Sequence, residues 1–180
     1  MKKIRRINLF GGPGSGKSVL ACYIRAELAF KGYNIELISE AIKEWTFIPR
    51  IPKGCDGFYL LANQIQQEDI RLRAGVDIIV SDSPVFLQYF YAQHHNVPLQ
   101  NAALVAALGY EELYASICIM LQRKDRFYNS LGRYETLEQA KAIDENMKEM
   151  LEYHGINYVE FPCAQEDKIV DYLITQLEAE

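Results

Sequence analysis

The stretch "GGPGSGKS" at residues 11–18 follows the apolar run "IRRINLF" without a break. It satisfies G-x-x-x-x-G-K-[ST] through Gly11, Gly16, Lys17 and Ser18, with Gly12, Pro13, Gly14 and Ser15 between them. That pattern works in one local setting only. A strand must lead into a tight turn whose backbone N–H groups converge, and a helix must begin at the turn and add its positive dipole end. The N-terminal segment is therefore expected to fold as strand, loop and helix around phosphate oxygens. Lys17 is placed to reach the β- and γ-phosphates of a nucleotide and the Ser18 hydroxyl to ligate Mg²⁺, with Gly11 to Val19 together expected to bind the nucleotide.

The rest of the chain repeats the alternation that this loop demands. Short runs rich in Ile, Leu and Val recur at 5–10, 34–39, 76–81, 116–121 and 157–161. Segments of helical period separate them: 18–31, 57–73, 84–94, 99–114, 136–154 and 166–178. Strands alternating with helices predict βαβ units and a parallel sheet buried on both faces. Thr136 and Gln139 have the spacing of a capping box. Ser83 and Pro84 read as an N-cap and first-turn pair. With 180 residues and no linker or repeat, one domain spanning 1–180 is expected.

Charge and cysteine content narrow the function classes. A net charge of −5 and a pI near 5.3 argue against a broad non-specific grip on DNA. Cys22, Cys55, Cys118 and Cys163 form no C-x-x-C pair and read as free thiols in a reducing compartment. No run approaches the roughly 18–20 apolar residues of a membrane helix, and no secretory apolar region is recognisable, so a cytoplasmic protein is expected.

In open parallel sheets ligands gather at the carboxyl ends of strands. The second strand ends in "SEAIKEW", which places Glu40 at that lip with Trp45 about one helical turn later. The third ends in "SDSP", which places Asp82 there. Two carboxylates on neighbouring strand ends suit phosphoryl transfer, one engaging an acceptor hydroxyl and one supporting Mg²⁺.

These residues resemble those of small P-loop kinases of the nicotinamide riboside kinase-like and deoxyribonucleoside kinase group. In that group the second strand ends in a Glu that acts on the substrate hydroxyl, and "SEAIKEW" is similar to that element. "ANQIQQEDIRLRAGVDIIVSD" (62–82) resembles the following helix, with its glutamine, and the strand ending in an acidic residue. Where deoxyribonucleoside kinases usually carry Glu-Arg-Ser, this chain has Ser81-Asp82-Ser83. The resemblance implies an α/β three-layer sandwich of the P-loop NTPase type, its five-stranded parallel sheet ordered 2-3-1-4-5. It also implies a lid at about 123–134, where "QRKDRFYNSLGRYET" follows the fourth strand. Arg123 is then expected on the nucleotide, with Arg126 and Arg133 supplying cations to the transferred group.

The acceptor site is expected along 41–67, where Trp45 and Tyr59 would stack on a base and Gln64 or Gln67 would bond its edge. Together these features predict an ATP- and Mg²⁺-dependent kinase acting on a hydroxyl of a nucleoside-like small molecule. Lys17, Glu40, Asp82, Arg126 and Arg133 would be its catalytic set. Two alternatives stand beside it: a kinase acting on a hydroxyl of nucleic acid, which is not favoured, and a nucleotide-binding regulatory ATPase. No membrane partner is expected, and a homo-oligomer is left open.

Overall fold

The computed structural model describes residues 3–39, 45, 53–123 and 135–179. Its elements in chain order are β1 (Ile4–Phe10), α1 (Lys17–Phe30), β2 (Ile35–Ile38), α2 (Asp56–Arg73), β3 (Ile78–Ser81), α3 (Val85–His94), α4 (Gln100–Leu113), β4 (Ala115–Gln122), α5 (Leu137–Tyr153), β5 (Val159–Pro162) and α6 (Glu166–Glu178). The five strands form one parallel sheet in the order β2-β3-β1-β4-β5, as the resemblance implies. β1 lies at the centre, so the phosphate loop that follows it emerges from the middle of the carboxyl edge.

Local chemistry explains most boundaries. α5 opens on the expected capping box: Gln139 N–H donates to Thr136 Oγ1 (3.3 Å), and Thr136 N–H donates to Gln139 Oε1 (2.8 Å). α3 departs from expectation. Its N-cap is Pro84, with no side-chain cap, and Ser83 stands outside the helix. The Ser83 hydroxyl instead accepts from Gln88 Nε2, which removes it from the capping role.

Alternation along β1 divides its residues between two interiors. Ile7 and Leu9 join an apolar layer with Leu20, Ile24 and Leu28 of α1 and Ile169 and Leu173 of α6. Each such side chain contributes about 1.5–3 kcal/mol by leaving water. Arg6 and Asn8 point the other way, as does Phe10, which packs in the cluster containing Phe86, Phe90, Met120 and Met147.

Arg6 is fully buried. Its Nε donates to Glu68 Oε2 (3.0 Å), Nη2 to Glu111 Oε1 (2.8 Å) and Nη1 to the Tyr114 carbonyl (3.2 Å). Its guanidinium carbon lies 4.6 Å from the Tyr110 ring centroid. Gln64 Nε2 extends the network, donating to Glu68 Oε1 (2.7 Å) and to Ser81 Oγ (3.0 Å). Burial raises the Glu68 carboxyl above its ordinary range, against the opposing pull of Arg6. Burial alone would lower Arg6, but Glu68 and Glu111 outweigh it and hold the guanidinium firmly charged.

Candidate functional site

The loop after β1 has the geometry its sequence demands. Gly11 takes φ 139 and Gly16 φ 99, values that strain any residue with a Cβ. A Cβ on Gly11 would also sit 2.6 Å from Ser15 Oγ. Gly16 is the N-cap of α1, with no side-chain cap and no acidic residue in the first turn. The first-turn N–H groups of Ser18 and Val19 and the positive helix end thus face the loop side, where an anion would bind. Ser18 is half-buried and Val19 is exposed. Lys17 Nζ donates to the carbonyls of Gly11 (2.5 Å) and Gly12 (3.1 Å), which holds the ammonium over the loop.

Asp82 follows β3 directly. Asn8 of β1 pairs with Ser81, so Asp82 leaves the sheet beside the strand that carries the loop. The turn is fastened from both sides. Ser81 Oγ accepts from Gln64 Nε2 and from the Ser83 N–H (3.3 Å), and Ser83 Oγ accepts from Gln88. Asp82 itself is buried, and its Oδ1 has no hydrogen-bond partner among the described residues. Ser15 Oγ is another such buried atom. A buried carboxylate oxygen without a donor is costly unless a cation or water completes it. An uncapped glycine cradle beside an acceptor-only oxygen fits a phosphate with its divalent cation, which binds mainly through phosphate and one or two protein oxygens.

The other expected site residues fall in varied places. Glu40, Arg126 and Arg133 lie outside the described residues. Trp45 is half-buried, and Tyr59 is exposed on α2. Gln64 is buried, and its Nε2 donates to Glu68 Oε1 and Ser81 Oγ. Gln67 is half-buried, and its Oε1 accepts from Arg71 Nη1 (2.9 Å). Arg123 packs against the loop and α5, donating from Nη1 to the Pro13 carbonyl (3.0 Å) and from Nε to Asp144 (2.5 Å). Sequence reasoning passed over Arg6, Glu68, Glu111 and Asp144. Asp144 had a signal, being the polar member of the buried stripe Ala140, Asp144 and Met147 at helical spacing.

A strand-borne glycine loop, an uncapped helix and an acidic neighbouring strand end occur together in many nucleotide-binding chains, and the sequence matches one group of them. The family described as an AAA domain (AAA_28) matches residues 6–168. The chain belongs to this family. No curated protein matches it in sequence. Among solved structures, this AAA-domain chain is similar to NadR protein in complex with NR, with a TM-score of 0.65 at 13% identity, over 87% of this chain and 45% of that one. It is also similar to deoxyadenosine kinase from M. mycoides, solved with dCMP and a flexible dCDP as products. There the TM-score is 0.60 at 16% identity, over 97% of this chain and all of that one. The chain thus spans less than half of NadR, and at these identities the shared property is the fold, a P-loop NTPase-like parallel sheet flanked by helices. No helix among the described residues is long and apolar enough to cross a membrane.

Proposed function

We propose that this AAA-domain chain is an ATP- and Mg²⁺-dependent kinase that transfers the γ-phosphate to a hydroxyl of a nucleoside-like small molecule. The observation that carries the reading is the buried Oδ1 of Asp82, without a donor among the described residues, beside an uncapped glycine cradle. The likeness of fold to a deoxyadenosine kinase over the whole of its length supports the substrate class.

In this reading the amides of Gly14 to Val19 bind the phosphates and exclude water from them. Lys17 exchanges the Gly11 and Gly12 carbonyls for β- and γ-phosphate oxygens. Asp82 and Ser18 would hold Mg²⁺, and the ion would supply positive charge against the β- and γ-phosphates. Glu40 takes the proton of the acceptor hydroxyl as its oxygen bonds to the γ-phosphorus and the β–γ bridging bond breaks, with the electron pair leaving on ADP. Arg126 and Arg133 stabilise the transferred group, and Trp45, Tyr59 and Gln67 orient the acceptor.

A panel of nucleosides with γ-labelled ATP tests this directly. Phosphate should appear on one class of nucleoside, and Lys17→Ala should lower kcat by roughly 10²–10³-fold, the loss typical of one transition-state donor. Asp82→Asn should raise the Mg²⁺ concentration needed for half-maximal rate. Hydrolysis unaffected by every nucleoside would replace the kinase by a regulatory ATPase. Transfer only to a polynucleotide would move the acceptor to nucleic acid.

A further inference from the structure

Arg123 stands at the start of the segment expected to close over a nucleotide, yet each of its three guanidinium nitrogens faces the protein. Nε donates to Asp144 Oδ2 (2.5 Å), Nη1 to the Pro13 carbonyl (3.0 Å) and Nη2 to the Ala140 carbonyl (3.1 Å). The other oxygen of Asp144 accepts the Gly12 N–H (2.5 Å), and the neighbouring Gly11 N–H donates to Met147 Sδ (3.3 Å). Three successive loop residues are therefore held from one side, by α5 and by the arginine that follows β4. The approach is close enough to exclude a side chain. A Cβ on Gly12 would sit 2.8 Å from both the Ala140 carbonyl and Asp144 Oδ1, and 2.9 Å from Arg123 Nη2. Both charged side chains are almost completely buried, at 7% and 11% exposure.

We infer that Arg123 and Asp144 are a positioning pair, a clamp that fixes the first turn of the phosphate loop and acts on the nucleotide only through that loop. This rests on the reading of the loop as a nucleotide site. The clamp sets the Gly11 and Gly12 peptides, whose carbonyls hold Lys17 Nζ, and so the place from which that ammonium meets a phosphate. A guanidinium suits the task because its planar fork serves a carboxylate and two carbonyls at once. A lysine supplies the same charge without that geometry.

The clamp and a direct phosphate contact differ in what they do to ADP, to lysine rescue and to each other. The full chain is titrated with Mg-ADP and with a non-hydrolysable Mg-ATP analogue, in wild type, Arg123→Ala, Asp144→Ala, Arg123→Lys and the double alanine variant. The Gly12 amide resonance is followed in each. A clamp raises both dissociation constants together, by about tenfold, or about 1.4 kcal/mol. It makes the double variant no weaker than the weaker single one, leaves Arg123→Lys no better than Arg123→Ala, and shifts the Gly12 amide in both singles. Arg123→Ala that weakens the ATP analogue but spares ADP, additive losses, or an unmoved Gly12 amide in folded Arg123→Ala would overturn it. Should the alanine variants fail to fold, Gly12→Ala attacks the same contact from the loop side and must weaken both nucleotides equally. A wild-type chain that binds neither nucleotide would refute the nucleotide site itself, and the amide shifts would then still decide whether Arg123 and Asp144 set the loop.

Discussion

Both faces of the central sheet bury an apolar cluster, but only one of them, among the described residues, adds a buried ionic layer. Under α1 and α6, Ile7 and Leu9 pack in a cluster of aliphatic and aromatic side chains, where fit of shape is the main requirement. On the other face Arg6 and Asn8, one residue away in each case, face Glu68, Gln64 and Glu111 in a hydrogen-bonded layer, although Asn8 Oδ1 and Tyr110 OH are buried there without a hydrogen-bond partner among the described residues. An apolar layer tolerates exchange of side chains of similar volume. A buried ionic layer does not tolerate the loss of a single member, although its replacement as a unit costs little. The difference has a spatial logic. The polar layer reaches the carboxyl edge through Ser81, the residue before Asp82, whereas the apolar layer makes no contact with that turn through a side-chain hydrogen bond among the described residues.

Removing one partner separates the two faces most strongly. Arg6→Met strands Glu68 and Glu111 and should cost about 3–5 kcal/mol in urea unfolding. Adding Glu68→Leu and Glu111→Leu should recover most of it. A triple variant as unstable as the single one would show that the layer is not an ionic unit.

The next largest effect is a pH dependence confined to the polar face. Raised above its unfolded value, the Glu68 carboxyl binds its proton more tightly in the fold than in the open chain. Its stabilising effect is therefore complete below about pH 4.3 and is lost as pH climbs through the folded pKa, by ~1.4 kcal/mol for each unit separating the two. The stability of wild type relative to Glu68→Gln should thus grow as pH falls. A flat difference profile would mean that Glu68 titrates as it does in the unfolded chain.

The smallest effect belongs to the apolar face. Ile24→Val should cost about 0.5–1.5 kcal/mol, equally at every pH, and leave the Mg²⁺ requirement for nucleotide binding unchanged. A shift in that requirement would couple the two faces and dissolve the contrast between them.

Periodicity and local chemistry made the fold legible. The alternation of β and α, the phosphate loop and the Thr136–Gln139 box all depend on residues a few positions apart, and each was readable from the sequence alone. The polar layer was not. Arg6 reads as one more cation in an N-terminal basic run, because its partners lie 62 and 105 residues away. Gln64 reads as a free amide on a helix for the same reason, its tie to Ser81 being set by packing of α2 on β3. Arg123 belongs to a run of arginines whose composition says cationic without saying what each one meets. Sequence placed Asp82 at the lip of the sheet, but that its oxygen lacks a partner among the described residues depends on where every surrounding donor points.

The central position of β1 bears on how ligand affinity becomes visible. β1 is hydrogen-bonded to β3 on one side and β4 on the other, while β2 and β5 are the sheet's edges. Edge strands fray through low-energy openings, but a doubly paired strand exchanges its amide hydrogens only when both ladders break, close to global unfolding. The loop hangs from that strand. A nucleotide bound there should therefore leave edge protection nearly unchanged and slow exchange at Ile7 to Phe10 by the factor 1 + [L]/Kd. Those four amides amount to a built-in affinity gauge, readable before any phosphate acceptor is known.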